Sequence, residues 1–260
     1  MDLSNKTVIV TGSTSGIGLG IATGFAEAGA NVVINGLNNP EKGKETAKGL
    51  SGHGGEVLFD CADMSKPDEI VALVERAEER FGSVDVVVNN AGIQVVEPVE
   101  DFPPERWDLL MAINLNAAFH TVRSAIPGMK MRGWGRIINI ASAHGLVASP
   151  YKSAYVASKH GIVGFTKTVA LEVAEDGITS NAICPGYVLT PLVEKQIPET
   201  AEARGITEEE VKRDVLLSAQ WTKKFVTVEQ LAGVALFLCS EAAENITGIA
   251  LPVDGGWTAA

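Results

Sequence analysis

The 260-residue sequence predicts an α/β fold, a doubly wound sheet of seven parallel strands with helices on both faces. Three observations carry this expectation. Short apolar, β-branched runs alternate with longer stretches of helical pattern. The turn between the first such run and the first helix is rich in glycine. Several later runs end directly in small or polar clusters, where ligands collect in open α/β sheets.

In chain order, Val8-Ile9-Val10 is the first strand and flows into Thr11-Gly12-Ser13-Thr14-Ser15-Gly16-Ile17-Gly18, followed by a helix over Leu19 to Ala28. Strand, glycine-rich turn and helix together suit a phosphate group, because backbone can approach it closely and the free N–H groups of the helix start face it. Asn31 to Asn35 is the second strand. The residue after it usually reads the adenosine ribose; an acid there favours NAD and an arginine NADP. Asn35-Gly36-Leu37 carries neither charge and the nearest cation is Lys42, so the absence of a phosphate partner favours NAD. A polar helix over Glu41 to Leu50 precedes a third strand, Glu56 to Phe59. Asp63 stands beyond that strand, where it either bonds an adenine or lends negative charge to the start of the next helix, Pro67 to Arg80. Val84 to Val88 is the fourth strand and ends in Asn89-Asn90-Ala91-Gly92.

One long helix is expected from about Pro104 to Lys130, with Asn114 inside it. A buried asparagine is costly unless bonded, so Asn114 either bends the helix or holds a water. The fifth strand, Gly135 to Ile140, ends at Ser142-Ala143-His144. A helix over Tyr151 to Glu175 then places Lys152, Tyr155 and Lys159 on one face through i, i+3 and i+4 steps. Two ammonium groups beside a phenol favour phenolate, so the Tyr155 pKa should fall from about 10 toward neutrality, suiting proton transfer. The sixth strand, Ile178 to Ile183, leads to Cys184-Pro185-Gly186. The alternation then stops for about 40 residues, and a segment this long reads as a lid, about 188–225, with Val211 to Leu217 helical. A helix near Val228 to Ser240 and a seventh strand, Ile249 to Val253, complete the pattern, and Asp254-Gly255-Gly256-Trp257 closes it. Without repeats or linkers, residues 1–260 read as one dinucleotide-binding catalytic domain.

Composition narrows the function. A formal net charge of −11 disfavours nucleic acid and anionic membrane as partners. Three cysteines without a C-x-x-C pair suit a reducing compartment. No apolar run reaches the roughly 18 residues of a membrane span, and the N-terminal residues pass straight into a strand, so a cytoplasmic location is expected. No H-x-x-x-H or cysteine cluster suggests a metal.

The motifs T-G-S-T-S-G-I-G, N-N-A-G, Ser142 and Y-x-x-x-K, in this order and spacing, resemble the short-chain dehydrogenase/reductase family along the whole chain. The resemblance implies a Rossmann-like fold and hydride transfer to a nicotinamide dinucleotide. It implies that Gly12, Thr14, Ser15, Gly16, Ile17 and Gly18 hold the pyrophosphate, with Asn35, Gly36 and Leu37 toward the adenosine. Asp63 should meet the adenine, Asn90, Ala91 and Gly92 the cofactor's ribose region, and Pro185, Gly186, Val188 and Thr190 the nicotinamide. Tyr155 is the implied general acid/base, Lys159 its partner on the nicotinamide ribose, Ser142 the group on the substrate oxygen, and Asn114 the anchor of a relay water.

Further stretches, G-I-Q at Gly92, I-N-I-A-S-A-H-G-L-V-A-S at Ile138, T-P-L-V-E-K-Q-I at Thr190 and the ending V-D-G-G-W-T-A, resemble members that oxidise a short 3-hydroxy acid to its 3-keto acid. This implies that Gln94, His144, Lys152 and Gln196 hold the carboxylate and that Trp257 helps close the pocket, while Tyr187 stands where a tryptophan is expected. A homotetramer built through the two long helices is implied as well. Taken singly, His144 also reads as a structural histidine, Lys152 as a solvated lysine and Gln196 as a lid-surface residue. Two rival functions remain at this stage, an NADPH-dependent oxoacyl or sugar reductase and a dinucleotide-sensing regulator on the same fold. The first lacks basic residues near Gly36, and the second has no need of a proton relay.

Overall fold

A computed structural model describes residues 2–37 and 39–260, apart from the side chains of Leu192 and Gln196. Its strands are β1 (Thr7–Val10), β2 (Asn31–Asn35), β3 (Val57–Asp60), β4 (Val86–Asn89), β5 (Gly135–Ile140), β6 (Ile178–Pro185) and β7 (Ala250–Val253). They form one parallel sheet in the order β3-β2-β1-β4-β5-β6-β7. The strand order reverses between β1 and β4, which opens a crevice at their carboxyl ends. The helices are α1 (Gly16–Glu27), α2 (Pro40–Leu50), α3 (Pro67–Phe81), α4 (Pro104–Met111), α5 (Ala117–Arg132), α6 (Ser153–Glu172), α7 (Pro191–Arg204), α8 (Glu208–Glu210) and α9 (Val228–Cys239).

Alternation along β1 divides the core. Val8 and Val10 face one layer with Ile21, Phe25, Leu231 and Leu238 of α1 and α9. Ile9 faces the other, with Leu73 of α3, Met129 of α5 and Val169 of α6. Each such side chain gains about 1.5–3 kcal/mol on burial. Slipping one strand by a residue would exchange the two faces, so the register is held firmly.

A polar ladder crosses this otherwise apolar interior. Asn89 at the end of β4 donates through Nδ2 to Asn139 Oδ1 of β5 (2.8 Å) and accepts from Thr121 Oγ1 of α5 (2.6 Å). Asn139 Nδ2 donates to Thr166 Oγ1 of α6 (2.8 Å), whose hydroxyl donates to Ile162 O (2.7 Å). All four side chains are buried. Low dielectric strengthens these bonds and makes each one costly to break. The ladder therefore fixes α5 and α6 in register against the strand ends that they flank.

The expected long helix is three pieces. α4 and α5 are joined by a π-turn over Ala112–Asn116, with Asn114 buried in it. Asn114 Oδ1 accepts from Ile93 N (2.8 Å) and Nδ2 donates to Ile93 O (2.9 Å), so the loop after β4 satisfies the side chain that the widened turn turns inward. The helix expected from Tyr151 starts later, because Tyr151 has φ +63° and Lys152 is the capping residue rather than a helical one. Lys152 and Tyr155 are therefore not stacked on a common helical face.

The segment between β6 and α9 is more helical than its prolines suggest. Pro191 opens α7, as suits a first helical position, and Pro198 lies within it. Thr207 and Glu210 form a reciprocal cap at α8, which runs into a π-turn over Val211–Leu216. No described helix is long and apolar enough to cross a membrane.

Asn139→Ala leaves Asn89 Nδ2 and Thr166 Oγ1 short of a partner. It should lower the free energy of unfolding by about 1–3 kcal/mol, read from urea denaturation. An unchanged midpoint and slope would show that the ladder adds nothing to stability.

Candidate active site

Thr11 to Gly18 is fastened from two sides before any ligand is considered. Asn90 Nδ2 donates to the carbonyls of Thr11 and Gly12 (both 2.9 Å), and Thr11 Oγ1 accepts from the backbone N–H groups of Asn90 and Ala91 (both 3.0 Å). From β2, Asn35 Oδ1 accepts from Gly12 N (3.2 Å), and Ser13 Oγ bridges Val10 O and Asn35 N. Glycine is required twice. Gly12 has φ +61°, and a Cβ there would lie 2.8 Å from Ala91 Cα; a Cβ at Gly18 would lie 2.4 Å from both Asn90 Nδ2 and Gly12 O.

The N-cap of α1, Ser15, makes no side-chain capping bond, and the first turn contains no acid. Its N–H groups and positive dipole end are thus available to an anion. Thr190, which caps α7, forms the opposite lip: a Cβ on Gly16 would meet its methyl at 3.6 Å. Gly36 leaves space that Thr14 approaches, and Leu37 is exposed beside it. Ile17 packs against the core. These features fit a dinucleotide pyrophosphate.

Two residues expected at the adenosine end are engaged within the chain. Asn35 is buried, and its amide serves backbone: besides Gly12, Nδ2 donates to Ala62 O (2.9 Å) and Asp60 O (3.3 Å). It ties three strand ends together. Asp63 Oδ1 accepts from Ser65 N (2.8 Å) and Ser65 Oγ (2.7 Å), while Oδ2 lies 3.8 Å from Lys66. Its carboxyl sits below the usual carboxylate range, chiefly through the Ser65 N–H. Asp63 thus shapes the turn into α3.

The reacting groups converge between β5 and α6. Ser142 Oγ accepts from His144 N (3.1 Å) and lies close to the Tyr155 hydroxyl. Lys159 is buried, its Nζ donating to Ile140 O (2.7 Å) and lying 5.6 Å from the Tyr155 ring centroid. Burial lowers the Lys159 pKa to about 8. The expected acidic phenol is not found in the chain by itself. Burial raises the Tyr155 pKa, and the Ser142 hydroxyl only opposes it. The ammonium expected to acidify the phenol is itself disfavoured by burial and is turned toward a carbonyl.

A second cluster adjoins this one. His144 is buried, with Nε2 3.5 Å from Lys152 Nζ and Nδ1 without a partner of good geometry. Burial, then the Lys152 charge, lower its pKa to about 4, against a weak opposing pull from the Val147 backbone. Burial also lowers that of Lys152. The imidazole is therefore neutral at neutral pH beside a poorly solvated ammonium, and both favour an arriving anion. The His144 ring stands edge-on to Tyr155 (centroids 6.1 Å) and to Trp257 (5.0 Å), and Trp257 stacks on Tyr187 at 5.8 Å and 5°.

Pro185 ends β6, Gly186 N donates to Val253 O (3.0 Å) and Val188 pairs with Val226, so the crevice's far wall is tied to β7 and to the end of the segment between β6 and α9. Gly92 faces Asn114, and Gln94 is exposed on the loop after β4. The side chain of Gln196 lies outside the described residues. Among the described residues no group of three His, Cys, Asp or Glu could hold a metal. Sequence reading missed Gln220, which is fully buried beneath Gly186; a lone glutamine in an irregular segment carries no periodic signal.

The sequence model of the short chain dehydrogenases matches residues 6–201. Among curated relatives, the D-beta-hydroxybutyrate dehydrogenase of Rhizobium meliloti is 61% identical over 255 residues, covering 98% of this chain and 99% of the relative. The D-beta-hydroxybutyrate dehydrogenase of Cupriavidus necator is 56% identical, covering 99% of each chain. A 3beta-hydroxysteroid dehydrogenase of Eggerthella lenta is 38% identical, covering 99% of this chain and 95% of its own.

The buried His144 generates a pH prediction. Its pKa is about 4 when folded against 6.5 when free, so the folded chain binds fewer protons between these values. The stability it contributes is whole above the free value and is lost as pH falls toward the folded one. Urea unfolding should show stability declining across this window, with a shallower decline in His144→Gln. Equal slopes would refute the assignment.

Proposed function

The chain belongs to the short chain dehydrogenases, and on that premise we propose that it is a NAD-dependent D-3-hydroxybutyrate dehydrogenase, interconverting (R)-3-hydroxybutanoate and acetoacetate. The observation that carries this reading is the adjacency of two clusters. Ser142, Tyr155 and Lys159 form a proton-transfer group, and His144 with Lys152 forms an anion-receptive pair beside it. A short hydroxy acid has a carboxylate two bonds from its hydroxyl-bearing carbon, and this arrangement suits both ends. The names of the two most similar relatives cited above support the same substrate.

Gly12, Gly16, Gly18 and the start of α1 would hold the pyrophosphate, Lys159 the nicotinamide ribose, and Pro185 to Thr190 would border the nicotinamide. Bound NAD supplies the hydride acceptor and a positive ring whose charge favours the tyrosinate. Tyr155 Oη takes the proton of the substrate hydroxyl, and Ser142 Oγ, already pinned by His144 N–H, donates to the same oxygen as it becomes a carbonyl. Lys159 stays charged at neutral pH and steadies the negative phenolate. Lys152 and His144, with Gln94, orient the acid by its carboxylate, so the reacting carbon is held in place. The stacked Tyr187 and Trp257 close one side against water. Asn114, held by Ile93, fixes the π-turn beside α6 and keeps its role as the anchor of a relay water.

NAD rather than NADP is supported by the charges around the end of β2. Asn35-Gly36-Leu37 carries no cation, and Arg76 is paired with Asp60 (2.7 Å) and Lys44 with Glu41 (3.0 Å). We place the enzyme in the cytoplasm. We assign it to a homotetramer whose contacts include the exposed apolar side chains Leu109, Phe119 and Leu171 on α4 to α6.

Initial-rate assays test the whole reading. The enzyme should reduce NAD with (R)-3-hydroxybutanoate, give little rate with NADP or with the methyl ester, and lose turnover in Tyr155→Phe while keeping NAD affinity. Equal rates with acid and ester would remove the carboxylate clamp, and faster turnover with NADP would overturn the cofactor. Lys152→Ala should raise the acid's KM by about tenfold or more with a smaller change in kcat. A fall in kcat at constant KM would place Lys152 in the chemical step instead.

A further inference from the structure

Gln220 sits where three segments meet below the candidate substrate pocket, and it is completely buried. Its Oε1 accepts the backbone N–H of Tyr187, and its Nε2 donates to Lys224 O (2.7 Å). Donor and acceptor are both fixed by their partners, so the amide has one orientation. It is also tightly enclosed: a Cβ on Gly186 would lie 2.4 Å from Oε1, and one on Gly255 would lie 3.3 Å from Nε2. Glycine at 186 is thus required by the amide beneath it.

Around this amide the two roots of the lid are zipped together. Val226 N donates to Tyr187 O (2.9 Å) and Leu189 N to Val226 O (3.3 Å), while Thr222 N donates to Gly255 O (3.1 Å). The last of these bonds fastens the turn that presents Trp257. That turn is closed by Asp254, whose carboxylate accepts from Gly256 N, Thr258 N and Thr258 Oγ1. Tyr187 stands at the start of the lid region and Trp257 in the chain's C-terminal turn. Their rings nevertheless lie parallel within 5°, with Trp257 also in a T-shaped contact with His144.

We propose that Gln220 is a positioning residue for the substrate pocket: it touches no substrate, but it holds Tyr187 and Trp257 in stacking register beside His144 and Tyr155. The proposal rests on the function given above, since it concerns the same pocket. It assigns Gln220 an effect on substrate binding and little on the proton-transfer groups, which hang from β5 and α6. Displacing a contact by about 1 Å is enough to cost up to a hundredfold in a well-fitted site.

Kinetics and near-ultraviolet circular dichroism of Gln220→Ala and Gln220→Glu test this. Gln220→Ala should raise the KM for (R)-3-hydroxybutanoate about tenfold while kcat stays within about twofold. It should also lose the same aromatic dichroism that Trp257→Phe loses. In Gln220→Glu the protonated acid donates to Lys224 O as the amide does, and the ionised form cannot. The ratio of its KM to the wild-type value should therefore rise with pH. A KM within about twofold of wild type, a fall in kcat with KM unchanged, a pH-independent ratio, or wild-type dichroism in Gln220→Ala would each overturn the proposal. If Gln220→Ala fails to fold, the pH dependence of Gln220→Glu decides. A wild-type protein inactive on the acid would overturn the function alone, and the dichroism would still judge Gln220.

Discussion

The bond from Lys159 Nζ to Ile140 O is the constraint that the active site is built around. An ammonium without water is tolerated only where fixed oxygen atoms replace its hydration. The carbonyl at the end of β5 does this, and it sets how closely α6 approaches the sheet. Once α6 is seated there, Tyr155 one turn earlier must fall beside Ser142, two residues beyond the strand. The ladder from Asn89 through Asn139 to Thr166 holds the same helix from below, so its position is fixed at two depths.

The electrostatics of the crevice follow from burial more than from nearby charge. Burial is the first cause of the shifts at His144, Lys152, Tyr155 and Lys159, and in each case it favours the uncharged form. Such a site is unsettled in the empty protein. An anionic ligand restores the solvation that Lys152 lacks, and a positive ring next to Tyr155 would do the same for the phenolate. By linkage, each ligand must raise or lower the proton affinity of the group it satisfies. This gives a chain of net charge −11 a local means of attracting an acid against its overall field.

Much of this was legible in the sequence. The central strands β1 and β4 are short runs rich in valine and buried on both faces, so the alternation of elements is visible without a structure, and apart from the divided helix over Pro104 to Arg132 and the unforeseen α7 the expected bounds differ by only a few residues. Ser142, Tyr155 and Lys159 were readable because their spacing depends on a single strand–helix unit. The side chains that hold the loops in place were not. Asn35 and Asp63 occupy positions where a ligand contact and a backbone contact look alike in one dimension, and only the paths of neighbouring strands decide between them. The offset of Lys152 from the helix depends on the backbone of Tyr151, a left-handed residue of a type with no preference for that conformation. Gln220 gains its partners from residues 33 positions before it and four after it, in a segment with no period.

The anchoring of Asn35 has a chemical consequence as well. It is followed by Gly36, and an asparagine before glycine in an open chain readily loses ammonia, because the next backbone nitrogen attacks the side-chain carbonyl and closes a five-membered imide. Here that nitrogen is engaged with Asp60 O at 3.2 Å, and the amide is clamped on both its oxygen and its nitrogen. The ring cannot close without breaking these bonds, so folding itself protects the residue from deamidation. Were aspartate to form, it would leave an unmatched negative charge where β1, β2 and β3 end, at the foot of the glycine-rich turn.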